Sequence, residues 1–209
     1  SGGLAALATA THRNGHQAEP KGNYPADPSS FKIDAALFRA DFSPATGRTF
    51  FVTAETFTKT TDASFPSLIT TTFAGQTGRQ RITRDRATLG HDFISPSGYF
   101  RNVQARLSWQ DAKVRESYVT RQSIPVGPPP PAPQTYVPRQ RVRDSDFRNR
   151  GLSGSVQVES SASLGGSTHR ILWGLDGSQT RQTRYEDFTQ FDGTTGAFLN
   201  KIFVGENFP

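Results

Sequence analysis

Apolar and polar residues alternate strictly along several segments of the chain, most clearly between Asn102 and Trp109. Successive side chains of a β-strand point to opposite faces, so the odd-numbered residues of this segment share one face and the even-numbered residues share the other. Such alternation is typical of an antiparallel sheet with one apolar face. The pattern therefore predicts an all-β protein built as an antiparallel meander.

Seven long strands can be predicted in this way, separated by segments rich in Pro, Gly, Ser or Thr. Their predicted ranges are Gly3–Arg13, Phe31–Phe42, Arg48–Lys59, Arg79–Ile94, Tyr99–Gln122, a sixth from Arg139 to the turn at Leu164, and Thr168–Arg184. The prolines at Pro125 and Pro128–Pro131 predict a stiff loop that does not pair in the sheet. The segment after the seventh strand, to Pro209, is predicted to be a long loop.

The connections between these strands alternate between short turns and long polar loops. The short turns are Ser43–Gly47, Ser95–Gly98 and Leu164–Ser167. The strand halves beside the short turns are amphipathic, whereas the halves beside the long loops are polar on both faces. A membrane-spanning strand needs only about 9–11 residues, so the longer strands would project beyond one leaflet. This gradient predicts an open part of a transmembrane β-barrel wall, with periplasmic short turns and extracellular long loops.

In such a wall the apolar side chains face the lipid on the convex side, and the polar side chains face the lumen on the concave side. A soluble β-sandwich or propeller also has alternating strands. It does not predict the same polarity gradient on every hairpin.

Composition narrows the functional classes. Hydrophobic residues make up 33% of the chain and the mean hydropathy is −0.57. The chain contains no run of about 18 apolar residues, so no transmembrane helix is predicted. The 16 Phe and 5 Tyr argue against disorder. The net charge of +6 is spread along strands without a basic block or stacking platform, so no nucleic-acid partner is expected.

Zero cysteines exclude disulfides and Cys-ligated metal sites within these residues. No signal peptide begins at Ser1 and no Met occurs. Because an exported protein needs a leader, we expect the sequence to be an internal piece of a longer chain.

Three segments resemble a known family. Thr83–Phe93 resembles a descending strand of TonB-dependent outer-membrane receptors, and Phe147–Leu164 is similar to a later strand of the same barrels. The most specific segment is His169–Ser178, with the sequence HRILWGLDGS, followed downstream by Asn207–Pro209. This arrangement is similar to the branch of haem/haemoglobin, transferrin and lactoferrin receptors.

The resemblance implies a 22-stranded barrel around an N-terminal plug, located in the outer membrane of a Gram-negative bacterium. Such receptors import haem or another iron complex with energy from the TonB complex. The chain has no recognisable plug or TonB box, and it lacks the later stretch that carries the signature haem-contacting His of this branch. Residues 1–209 would therefore form one partial barrel domain, with the plug domain, TonB complex, outer-membrane lipid and a host haem protein as partners.

Two histidines are candidate ligand-binding residues. His12 and His16 lie near the extracellular end of the first strand, and their spacing of four places both on one face. An imidazole can ligate haem iron, although a solvated loop histidine is the simpler interpretation. His91 and His169 lie beside short turns on the predicted lipid-facing side and are predicted to be structural.

Three arginines, Arg39, Arg106 and Arg170, are predicted to face the lumen. They could attract an anionic ligand or contact acidic groups on a plug. The second role is preferred because a barrel of this size needs its lumen blocked.

No arrangement of catalytic residues is present in the sequence. It has no serine in a glycine-framed elbow, no His-Glu helix motif and no phosphate-binding glycine loop. We therefore expect no enzymatic activity, no metal site and no resident cofactor, with haem or an iron complex only as a transported ligand.

Three functions follow from these observations. The first is a receptor segment for haem or another iron complex. The second is a non-transporting outer-membrane barrel, such as an adhesin or a porin-like channel, and the third is a soluble all-β ligand-binding module. Solubility without detergent distinguishes the third, and a plug encoded upstream separates the first two.

Overall fold

The computed structural model describes residues 2–16, 27–95, 99–127 and 134–208, with side chains described to residue 203. Eight strands make up almost all of these residues. They are β1 (Gly3–His16), β2 (Ser29–Ala45), β3 (Arg48–Ser64), β4 (Phe73–Ile94), β5 (Phe100–Val126), β6 (Thr135–Leu164), β7 (Ser167–Asp192) and β8 (Phe198–Phe208). Among the described residues, one short 3₁₀ turn at Pro66–Leu68 is the only helical element.

The strands form one antiparallel sheet in sequence order from β1 to β8. This confirms the predicted all-β meander and the pairing of the fifth strand with the sixth. The sheet is not closed into a barrel, because β1 and β8 each pair with one neighbour in the described part of the chain. In those ranges no helix is long and apolar enough to cross a bilayer.

The prediction of seven strands was wrong by one. The segment predicted to be a final loop contains β8, which pairs with β7 from Phe191↔Phe198 to Gln182↔Phe208. Three consecutive apolar residues, Ile202–Val204, interrupt the apolar–polar alternation there, so the sequence pattern does not identify this strand. One edge of the sheet is therefore β8, where the prediction placed the seventh strand.

The predicted strand ends beside the long loops were also too short. β3 continues to Ser64, β4 begins at Phe73, and β7 continues to Asp192. These extensions show no regular apolar–polar alternation, because aromatic residues such as Phe73, Phe188 and Phe191 do not recur with a period of two there. Their backbones nevertheless pair with the neighbouring strands. Pro125, predicted to lie in an unpaired loop, stands opposite Tyr136 at the end of the β5–β6 ladder, where a proline is tolerated. Pro128–Pro131 and residues 96–98 of a predicted turn lie outside the described residues.

Two of the predicted short turns are two-residue hairpins. They are closed by the pairs Ala45↔Arg48 and Leu164↔Ser167. Gly165 and Gly166 both have positive φ, at 60° and 85°. This backbone is the type I′ turn that matches the twist of paired strands, and glycine adopts it without steric cost.

The register confirms the predicted sorting of side chains into two faces. For example, Ala54 stands opposite Ala87, and Ala87 stands opposite Trp109. The apolar face carries every residue predicted for it: Phe38, Ala40, Phe42, Phe50, Val52, Ala54, Val103, Ala105, Leu107, Trp109, Leu152, Val156, Val158, Ile171, Trp173 and Leu175. The polar face carries the predicted polar set: Arg39, Asp41, Thr53, Glu55, Gln104, Arg106, Gln157, Glu159, Arg170 and Asp176.

No second layer packs against either face within the described residues, because strands contact only their neighbours in the sheet. Phe51 and Val158 are the only buried hydrophobic residues there. Leu107 on the apolar face is 50% exposed. Along most of β2 the even-numbered residues of this face are exposed, while the odd-numbered residues of the polar face are half-buried. On β2, therefore, the side chains of the polar face are the more closely packed of the two sets.

Candidate functional site on the polar face

Two of the three arginines predicted to face the lumen meet around one aromatic ring. Arg39 on β2 and Arg106 on β5 place their guanidinium carbons 4.7 Å and 4.6 Å from the ring centroid of Phe51 on β3. Such cation–π contacts are each stabilising. We call Arg39, Asp41, Phe51, Asp92 and Arg106 the arginine cluster.

A glycine on the intervening strand makes this arrangement possible. Asp41, Phe51, Gly90 and Arg106 form one register row across β2 to β5. The Phe51 ring lies over Gly90, where an added Cβ would be only 2.2 Å from Phe51 Cζ. The absence of a side chain at Gly90 therefore lets the ring extend across β4 toward Arg106, and Phe51 is only 8% exposed.

Each guanidinium in the cluster has its own carboxylate. Arg39 donates from Nε and Nη2 to the Asp41 carboxylate at 2.9 Å and 2.7 Å. Arg106 donates from Nη2 to Asp92 at 2.7 Å, and from Nη1 to the carbonyl oxygens of Ala105 and His91. The cluster is thus neutral overall and held in place from several sides. With both guanidinium groups paired, the cluster has no surplus positive charge to offer a small anion.

Arg170 lies apart from the cluster. It is on β7, on the same polar face, with its side chain 81% exposed and its Nε 3.8 Å from Glu159. A contact of this kind at an exposed site contributes little to stability. The structure therefore groups Arg39 with Arg106 and leaves Arg170 as a solvated side chain.

His12 and His16 both lie on β1 and share a face, as their spacing predicts. That face continues the apolar face and not the polar one. His12 Nδ1 donates to Asp34 at 2.6 Å, and its Nε2 accepts from Asn14 at 3.0 Å. This hydrogen bond from His12 is the main reason that the pKa of Asp34 lies below its usual value. Four residues of strand separate the two histidines by roughly 13 Å, so one iron cannot bind both in this conformation.

The other two histidines also lie on the apolar face, as predicted. The ring of His91 stacks on Phe50, with centroids 4.3 Å apart. His169 is exposed beside the β6–β7 turn. No group of three His, Cys, Asp or Glu side chains with metal-binding geometry occurs among the described residues.

Sequence reasoning missed a second charged group on the polar face, near the long loops. Glu186 is only 7% exposed and forms ion pairs with Arg143 and with Arg184, the latter at 3.0 Å. The Arg143 guanidinium also lies over the Phe188 ring. These residues belong to strand halves that are polar on both faces, so alternation cannot reveal which way they face.

The loop between β7 and β8 is organised by one carboxylate. Asp192 accepts hydrogen bonds from the backbone N–H groups of Thr194 and Thr195, and from the Thr195 hydroxyl. Arg139 donates to its other oxygen at 2.8 Å. The hydrogen bonds from the two threonine amides are the main reason that the pKa of Asp192 lies below its usual value. The charged form of Asp192 therefore stabilises this hairpin.

We expect acid to loosen the β7–β8 loop. Because the pKa of Asp192 is lower in the folded state, its stabilising effect is complete above the unfolded value of about 3.9 and is lost as the pH falls through the folded value. Amide hydrogen exchange at Thr194 and Thr195, corrected for intrinsic rates, should show protection that declines below about pH 4. Asp192→Asn keeps one acceptor oxygen without the charge, so it should remove this pH dependence. Identical pH profiles for the two proteins would contradict the assignment.

No protein-family model matches the chain, and no curated protein sequence matches it significantly.

Proposed function

We propose that this chain is part of the barrel wall of a TonB-dependent receptor that imports haem or another iron complex across the outer membrane of a Gram-negative bacterium. One observation carries the proposal: a single-layer sheet has one exposed apolar face, and that face is confined to the strand halves beside the short turns.

The apolar band has a sharp upper limit. On the same face, the first charged row toward the long loops consists of Asp85, Asp111, Arg150 and Arg181 on four successive strands. From Val103 to Asp111 the strand advances roughly 27 Å at about 3.4 Å per residue, or about 20 Å of height at a tilt near 40°. This is close to the apolar band of about 25 Å that outer-membrane barrels present to lipid. Hydrocarbon therefore accounts for an apolar face that no protein layer covers.

The polar face supports the plugged-lumen part of the proposal. The arginine cluster lies beside the short turns, at the membrane level of the sheet, and presents paired charges that are already oriented. A folded plug inside the barrel would offer polar groups to such a surface. The transport of haem or an iron complex rests on the sequence resemblance of the strand motifs.

Growth on haem tests this function. A strain lacking the gene should fail to grow with haemin as the sole iron source, and a plasmid copy should restore growth only in a strain with an intact TonB complex. Growth on a ferrous salt serves as the control and should be unchanged. Normal haemin growth of the deletion strain would contradict the proposal; membrane location would then favour a non-transporting barrel, and extraction without detergent would favour a soluble β-module.

A further inference from the structure

We propose that the outer surface of the sheet, directly above the apolar band, binds the phosphate groups of a phosphorylated glycolipid of the outer leaflet. This inference rests on the proposed outer-membrane location and is independent of what the protein transports. The surface is the continuation of the apolar face on β4, β5 and β6. We call it the cationic groove, lined on this face by Arg79, Arg81, Lys113, Arg115 and Arg148 together with Asp144 and Asp146.

Like charges stand directly opposite each other in this groove. Arg81 on β4 is the register partner of Arg115 on β5, and Lys113 on β5 is the partner of Arg148 on β6. Like charges in directly opposed positions destabilise a pair of strands. Lys113 and Arg148 already have Asp146 and Asp111 beside them, so a bound anion would mainly relieve the repulsion between Arg81 and Arg115.

The carboxylates of the groove do not fully balance these cations. Asp146 is shared by Lys113 and Arg115, each at 3.0 Å. Two further cations of the groove form ion pairs with carboxylates outside its lining: Arg79 with Asp62, and Arg148 with Asp111. Arg81 is exposed and has no ion-pair partner among the described residues. The five cations thus stand against four carboxylates, Asp62, Asp111, Asp144 and Asp146. The surplus positive charge is that of Arg81, which lies opposite Arg115 in the register.

The groove also has room and apolar walls for a lipid headgroup. Its volume is about 930 Å³, and Tyr185 and Phe203 form one border, with their rings edge-to-face at 4.6 Å. Aromatic rings are typical of the membrane–water interface.

The height of the groove decides between a lipid and a soluble anion. Asp111 marks the first charged row above the apolar band, and Lys113 and Arg115 follow on the next two outward positions of β5. Groups at this height and on this face meet the headgroups of the outer leaflet. Basic side chains near an anionic membrane surface attract its phosphates.

Binding of lipid A to the protein purified in detergent at full length tests this inference. The probes are bisphosphorylated lipid A, the same lipid without phosphates, and inorganic phosphate at equal concentration. Each cation near an anionic surface contributes enough for about a five-fold change in affinity, so Arg81→Gln with Arg115→Gln should weaken binding of bisphosphorylated lipid A roughly 30-fold. The dephosphorylated lipid should bind the unmodified protein weakly.

The matched control is Arg86→Gln with Arg141→Gln, which removes the same charge from exposed residues on the polar face. Its affinity for bisphosphorylated lipid A should stay within about two-fold of the unmodified protein if the groove is the site. Equal losses in both double variants would show a general charge effect and overturn the inference. Inorganic phosphate competing at the concentration of the lipid would overturn it as well, because the site would then be one for a soluble anion. Haemin-dependent growth is a separate readout, so failure of the transport function is distinguishable from failure of this site.

Discussion

Leu107→Arg should sharply reduce the amount of folded protein in the outer membrane. Leu107 lies at the middle of the apolar band on the central strand β5 and is 50% exposed on that face. An arginine facing lipid at mid-bilayer costs about 2–4 kcal/mol, and this penalty applies only if the face meets hydrocarbon. Heat-modifiable migration on gels and quantitative blotting of outer-membrane fractions measure the folded amount.

Gln104→Arg is the matched control for this change. Gln104 lies on the same strand, three residues away, but on the polar face between Asp92 on β4 and Gln157 on β6. An arginine there faces a polar surface, so the folded amount should remain close to that of the unmodified protein. If the two variants assembled equally well, the assignment of the faces would be wrong.

Gly90→Ala should disrupt the arginine cluster. The new methyl group would lie 2.2 Å from Phe51 Cζ, so the ring must leave its position over β4 and lose contact with Arg106. Overpacking of this kind costs about 1–3 kcal/mol. The free energy of unfolding, measured by urea titration of the purified protein in detergent, should fall by an amount in this range.

A double-mutant cycle makes this prediction specific. In a Phe51→Ala background the ring is gone, so adding Gly90→Ala should cost almost nothing. Gly177→Ala is the control for replacing a strand glycine, because no atom lies within 4 Å of its added Cβ. Equal losses from Gly90→Ala with and without the Phe51 ring would refute the proposed packing.

The face of the sheet on which each side chain lies could be predicted from sequence wherever one face of a strand is apolar. Alternation around Trp109 and Trp173 predicts which neighbours share a face, and the register confirms both. The orientation of Arg39 and Arg106 followed from the same rule. The meeting of the two arginines could not be predicted in this way. It depends on Phe51, an apolar residue on the polar face, and on the alignment of Phe51 with Gly90 on the next strand.

Sequence reasoning failed in segments where apolar and polar residues do not alternate. Glu186 and Arg143 lie in segments polar on both faces, so neither their facing nor the true ends of β6 and β7 could be predicted. The opposition of Arg81 and Arg115 required the β4–β5 register. Register is set by pairing along the whole hairpin, so the alternation within each strand does not determine it.

A cysteine scan along β5 tests the central claim most directly. The chain has no cysteine of its own, so single substitutions from Asn102 to Ser117 in the otherwise unchanged protein each give one site for a nitroxide spin label. In native outer membranes, labels at odd positions from 103 to 109 should be relaxed by oxygen, which concentrates in hydrocarbon, and shielded from a water-soluble nickel chelate. Labels at even positions in this range should show low oxygen access, and from Asp111 onward the outward-facing labels should become accessible to nickel. Nickel access at the odd positions 103, 105, 107 and 109, or shielding of these four positions from both reagents, would contradict a lipid-facing sheet.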